Sequence, residues 1–91
     1  MSDDAEMAIA IKYDKEKDTA PRVVAKGMRL KAEKIREIAK QYNIPVMKNV
    51  NLANSLYRVE VGQEIPEELF DAVAEILNFV WALQREQAGG R

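Results

Sequence analysis

The sequence predicts a small α/β domain in which a mixed sheet of three or four strands is surrounded by helices. Three patterns support this fold class. Residues 7–13 alternate as a strand does, residues 28–42 follow a helical period between two short apolar runs, and residues 66–84 form a longer helical pattern. The predicted element order is β-β-α-β-α-α, and 91 residues are enough for one domain.

The predicted domain occupies residues 7–85, with a disordered N-terminal arm over residues 1–6 and a flexible tail over residues 86–91. Its first strand, "MAIAIKY", has large side chains on one face and two alanines on the other. Such a strand fits between helices on both sides of a sheet. The large side chains are those of Met7, Ile9, Ile11 and Tyr13.

A strand, a helix and another strand are predicted to follow. Residues 22–26 form the second strand, and residues 44–48, "IPVMK", form a third that runs parallel to it through a right-handed crossover. The connecting helix spans residues 28–42 and ends at Asn43, because Asn tolerates the left-handed conformation. Its predicted core stripe consists of Met28, Ala32, Ile35, Ile38, Ala39 and Tyr42.

Two further helices complete the prediction. A short one starts near Asn49 or Asn51, either of which is a suitable N-cap, and turns Leu52 and Leu56 inward. The last helix begins at Pro66, and its apolar arc covers half the circumference or more. Phe70 and Trp81 widen that arc. They belong either to a helix wedged between neighbours or to a surface for a partner protein.

Composition excludes several classes of function. The chain has no cysteine and no histidine, which removes thiolate chemistry and the commonest general base. A net charge of -1 and a pI near 5.5 disfavour nucleic-acid binding. No apolar run reaches the length of a membrane span, and "MSDDAE" does not match a secretory signal. We therefore expect a cytoplasmic protein without cofactor, metal or catalytic residues.

A lone glycine between a strand and a helix raises the question of a phosphate site. Gly27 lies in no Walker or dinucleotide motif, so we expect it to adopt a positive φ or to allow a tight turn. The basic residues Arg29, Arg36 and Lys40 are interpreted as a solvated helix flank, since acidic residues beside them neutralise it.

Five stretches together resemble the C-terminal cytoplasmic domain of the type III export switch proteins, the FlhB, YscU and SpaS family. The stretches are "AIAIKYD", "APRVVAKG", "KIREIAKQYNIPV", "NLANSLY" and "VEVGQEIPEELFDAVAEIL". They span about residues 7–83 in the family's order and spacing. The resemblance implies a role at the bacterial export gate, in switching from one class of exported substrate to the next. Partners implied are the gate's membrane proteins, the ruler protein and secretion substrates.

The family's self-cleaving Asn-Pro-Thr-His motif is replaced in this chain. Its position falls on Asp3, Asp4, Ala5 and Glu6. In the family the Asn amide attacks its own backbone carbonyl and cuts the chain before Pro. Asp3 has no amide nitrogen, so we predict that this chain does not cleave itself.

A strand precedes the cleavage motif in the full-length relatives and pairs in their sheet. Only six residues precede Met7, so we expect the edge of the first strand to be exposed. Such an edge is a docking site for a strand of another chain. The partner-binding residues predicted from the sequence are Met7, Ile9, Ile11, Tyr13, Phe70 and Trp81. The main alternative is a small RNA-binding module of the L7Ae type, which the acidic pI disfavours. A small enzyme is the other.

Overall fold

A two-stranded antiparallel sheet lies between helices in the computed structural model of the chain, which describes residues 6–14 and 16–89. The strands are β1 (Met7–Lys12) and β2 (Arg22–Met28), and the helices are α1 (Leu30–Gln41), α2 (Val50–Leu56) and α3 (Phe70–Gly89). A single 3-10 turn, Glu67–Leu69, precedes α3. The α/β class and the order of helices agree with the prediction. Residues 1–5 of the predicted N-terminal arm and residues 90–91 of the predicted tail lie outside the described residues.

The predicted third strand is wrong for the described part of the chain. Residues 44–49 carry no strand assignment, and the described sheet contains β1 and β2 alone. The N–H of Ile44 donates to the Ala39 carbonyl at the end of α1 (2.8 Å), and Pro45 has no N–H. Side chains of this segment are exposed, by 55% at Ile44 and 60% at Val46. The segment has the composition of a strand without a neighbouring strand to bond.

The faces of the sheet are assigned by two neighbouring pairs of residues. Ala8 pairs with Gly27, and a Cβ on Gly27 would point at Lys31 of α1, so α1 covers that face. Ile9 pairs with Lys26 on the opposite face, where the Lys26 side chain reaches the segment after α2. The small alanines of β1 therefore lie under α1, and its isoleucines face α2 and α3.

The main core lies on the isoleucine side of the sheet. Leu52 and Leu56 of α2 point inward, as predicted, and Ile9 and Ile11 pack against the same cluster. The buried members of this cluster are Val23, Leu52, Leu56, Val59, Ile65 and Val73.

On the α1 side only part of the predicted stripe is buried. Ala32 and Ala39 are buried, whereas Met28 belongs to β2 and is 44% exposed. Tyr42 is exposed by 71% and Ile38 by 44%. The predicted α1 stripe is therefore only partly correct, because the layer that would cover its outer half is not present among residues 6–14 and 16–89.

Most of the predictions made for the helix ends are confirmed. Asn49 is the N-cap of α2, and its side-chain oxygen accepts from the Leu52 N–H (3.0 Å), so of the two candidates it is Asn49 that caps. Asn43 adopts φ 56° after α1, as predicted. The prediction for Gly27 is wrong, since β2 runs through it without a positive φ. Arg29 makes the turn instead, at φ 56° and ψ -120°.

Candidate functional site

The outer edge of β1 is unpaired by any described strand. The Arg29 N–H donates to the Glu6 carbonyl across the sheet (3.0 Å). Backbone groups of an antiparallel strand point alternately to its two sides, so those of Met7, Ile9 and Ile11 point away from β2. Val23, which lies opposite Ile11, shows the same alternation. Its N–H donates to the Gln63 carbonyl and its carbonyl accepts from the Gly62 N–H, so neither group bonds β1. The free edge thus offers both donors and acceptors.

An apolar groove of about 550 Å³ runs along this edge. β1 forms one wall, and the extended residues 44–47 contribute to the lining as well. The sheet plane continues into the groove, so helices line it above and below. From α1 come Ile35, Ile38 and Ala39, and from α2 and α3 come Leu52, Leu56, Val73, Ile76, Leu77 and Val80. The charged residues among the described lining are Lys12 and Arg36.

A smaller pocket of about 250 Å³ lies beyond the end of β1 and is rich in aromatic side chains. The rings of Tyr13 and Trp81 have centroids 6.1 Å apart and are tilted by 32°. Phe70 lines the same pocket while also packing against the main core. Leu77 lines this pocket as well as the groove, so the two cavities share a wall.

The structure brings together most of the partner-binding residues predicted from the sequence. Ile9 and Ile11 line the groove, while Tyr13, Phe70 and Trp81 line the aromatic pocket. Met7 pairs with Met28 at the far end of β1. Tyr13, which the sequence places on the large-side-chain face of the first strand, therefore lies in the same pocket as Phe70 and Trp81 of the last helix. Phe70 contributes both to the core and to the pocket wall. Its role as a partner contact stays a prediction.

No candidate metal site is found in the described part of the chain. No three His, Cys, Asp or Glu side chains gather there as metal ligands. Of the residues at the cleavage-motif position, Asp3, Asp4 and Ala5 lie outside the described residues. Glu6 is described, and its carboxylate accepts a hydrogen bond from the Arg36 guanidinium (2.7 Å). No helix that the structure describes is both long enough and apolar enough to cross a membrane.

A comparison with protein families decides the assignment. The model of the FlhB HrpN YscU SpaS family matches residues 3–80. The chain belongs to this family. It is 48% identical over 84 residues to the flagellar biosynthetic protein FlhB of Escherichia coli K12, covering 91% of this chain and 22% of that protein. FlhB of Bacillus subtilis 168 is 48% identical over 80 residues, covering 87% of this chain and 22% of FlhB. The chain thus spans about a fifth of these curated relatives.

Solved structures of FlhB-family domains share the fold. The cytoplasmic domain of FlhB from Shewanella putrefaciens superposes with a TM-score of 0.87 at 44% identity, covering 92% of this chain and 66% of that one. The C-terminal domain of the EscU P263A mutant gives a TM-score of 0.80 at 34% identity, covering 84% and 76%. The predicted resemblance to this family is confirmed.

Two features of this FlhB-family domain were missed by sequence reasoning. Residues 44–48 were interpreted as a sheet strand, and residues 44–47 instead border the groove. Arg36 was assigned to a solvated flank, yet it lines the groove and bonds Glu6. Helical spacing does place Arg36 next to Ala32, four positions earlier, at the border of the apolar stripe, but nothing in the sequence shows that its side chain reaches the start of β1.

Proposed function

We propose that this chain is a non-enzymatic protein-interaction domain of a bacterial type III, flagellar-type export apparatus. It acts like the released C-terminal fragment of the export switch protein in substrate-specificity switching, in the cytoplasm at the inner-membrane export gate. Family membership supports the apparatus. The observation that carries the mode of action is the unpaired edge of β1 beside an apolar groove. The relatives above give no support to the RNA-binding alternative.

The length of the groove and its apolar lining match those needed for one more β-strand beside β1. β1 offers six residues of edge, which corresponds to about 20 Å of strand. A strand in the groove bonds the outward groups of Met7, Ile9 and Ile11. Its side chains alternate between α1 on one face and α2 and α3 on the other, and both linings are apolar. The occupant is therefore a strand with apolar residues on both faces, as in a fully buried sheet.

The partner we propose is the segment of the membrane switch protein that precedes its Asn-Pro-Thr-His motif. In the relatives that segment leads through a short turn into the strand equivalent to β1, and a short turn joins antiparallel strands. The donated strand therefore runs antiparallel to β1, with its C-terminal end beside Glu6. Residues 44–47 border its other side. In this way the chain takes the place of the released fragment, and the donated strand completes the sheet of the chain.

Calorimetric titration tests this function. The chain is titrated with the cytoplasmic segment of a membrane switch protein truncated at its motif, and the intact domain serves as the control. We expect binding to the truncated form and not to the intact form, whose own strand fills its groove. Binding to neither form would overturn strand donation.

A matched pair of variants locates the binding surface. Ala53 of α2 lines the groove, whereas the adjacent Asn54 is exposed and is not among the lining residues. Ala53→Phe is expected to fill the groove and abolish binding, and Asn54→Phe is expected to leave it unchanged. Equal effects of the two substitutions would place the contact elsewhere.

We propose the aromatic pocket as a second contact, for an apolar segment of a secretion substrate. Its rings offer broad apolar area at little cost in side-chain entropy. Trp81 is the only tryptophan, so its fluorescence reports on this pocket directly. A substrate segment that binds here is expected to change Trp81 emission, and Asn78→Arg at the pocket lining is expected to weaken it. An unchanged titration in that variant would argue against the pocket.

A further inference from the structure

The groove has one cation at each end. Lys12 ends β1, and Arg36 reaches from α1 to the opposite end, where its Nη2 donates to Oε1 of Glu6 at 2.7 Å. Both side chains of this ion pair are about half exposed, at 41% for Arg36 and 46% for Glu6. An otherwise apolar groove is therefore marked at its ends by positive charge.

Arg36 retains guanidinium N–H donors for a second carboxylate. Its guanidinium carries five N–H donors in a planar fork, and the bond to Glu6 engages one of them. Arginine binds carboxylates through paired hydrogen bonds, and these charge-assisted bonds are stronger than neutral ones. The pairing with Glu6 holds this fork at the start of β1 while the groove is empty.

We infer that Arg36 binds the terminal carboxylate of the strand that enters the groove. The inference rests on the proposed function, because an antiparallel strand brings its C-terminal end to Glu6 and Arg36. A strand that continues into further chain has a neutral peptide group at this point and gains nothing from the guanidinium. Arg36 thereby makes the chain selective for a partner whose chain ends there, as a partner cut at this position does.

Glu6 disfavours the binding of a terminal carboxylate at Arg36. Its carboxylate shares Arg36 with the incoming one, and the two negative charges repel each other. Removing the charge of Glu6 is expected to raise affinity for a free terminus, whereas removing that of Arg36 is expected to leave Glu6 as an unopposed repulsion. Opposite effects from two residues in one ion pair separate this mechanism from loss of structure.

Two synthetic peptides provide the test. Both carry an acetyl group, two lysines for solubility, five alternating valines and isoleucines, and a last asparagine. One ends in a free acid and the other in an amide. Each is titrated calorimetrically into the 91-residue chain at low salt. We expect the acid to bind about three- to tenfold more tightly, the range of a partly exposed charge-assisted pair.

Variants complete the design. Arg36→Gln is expected to bring the ratio of acid affinity to amide affinity to one or below, because Glu6 then repels only the free acid, and Glu6→Gln is expected to increase this ratio. Lys34→Gln, an exposed charge on another side of α1, is expected to leave the ratio unchanged. Thermal unfolding of each variant checks that its fold is intact.

The outcomes are distinguishable. Equal binding of acid and amide would overturn the role of Arg36 and leave strand donation standing. A ratio that depends on Lys12→Gln rather than Arg36→Gln would overturn it too, because the strand would then run in the opposite direction. Failure of both peptides to bind would overturn strand donation itself.

Discussion

The ammonium group of Lys26 lies 2.7 Å from the carbonyl oxygen of Tyr57 and 4.8 Å from the centre of its ring. It also donates to the carbonyl of Val59 at 3.0 Å. These carbonyls follow the C-terminal end of α2, where backbone acceptors lack helical partners and a positive charge is favourable. Lys26 in the middle of β2 thereby ties the sheet to the segment that leads toward Ile65 of the core.

Replacing Lys26 by methionine is expected to destabilise the domain by about 1–2 kcal/mol. The apolar stem is kept while two charge-assisted hydrogen bonds to half-buried acceptors are lost. Urea unfolding measured by Trp81 fluorescence gives the free energy. Lys34→Met, an exposed charge of the same kind, is the control and should change stability by less than about 0.5 kcal/mol. Similar values for the two variants would show that Lys26 does not tie the sheet to this segment.

Gly27→Ala is expected to cost about 1–3 kcal/mol, although alanine suits a strand better than glycine. The new Cβ would lie 2.5 Å from Cγ and 2.7 Å from Cβ of Lys31, so α1 must move away from the sheet. Adding Lys31→Ala removes Cγ and Cδ but keeps Cβ. The double variant should therefore recover stability only in part, as measured by thermal unfolding. Full stability of the single variant would mean that α1 has room to shift.

Arg29→Gly is expected to stabilise the domain by about 0.5–1 kcal/mol. Arg29 has φ 56° and ψ -120°, a conformation that glycine adopts without steric cost. Its side chain makes no capping hydrogen bond to α1, so little is lost with it. Lys34→Gly inside the same helix is the control and should destabilise by about 1 kcal/mol. A loss of stability in Arg29→Gly would show that the arginine side chain matters more than its backbone.

Two neighbouring asparagines provide a matched test of capping. Asn49→Ala is expected to cost about 1 kcal/mol, because it removes the bond from the Leu52 N–H to the Asn49 side chain. Asn51 lies inside α2 and is exposed, so Asn51→Ala should be neutral or slightly stabilising. Both free energies come from chemical denaturation. The reverse order would identify Asn51 as the cap in solution.

Local patterns in the sequence were sufficient to predict the helices, the first two strands, a cap at Asn49 or Asn51 and the family. They depend on residues close in sequence, such as the alternation of residues 7–13 and the helical period of residues 28–42. Side chains three or four positions apart report their own helix face without information from the rest of the chain. The same locality explains why residues 44–48 were predicted as a strand, since "IPVMK" has the composition of one.

Whether that composition becomes a strand was decided by tertiary structure, because a strand needs the backbone of a neighbour. The neighbour's place beside residues 44–47 is the groove, and β1 lies across it. The approach of Arg36 to Glu6, thirty positions away, likewise depends on how α1 packs over β1. The sequence by itself determined the helices, the first two strands and the family of this protein. Only the packing of those elements decided that an open sheet edge, an apolar groove and a guanidinium meet at one site.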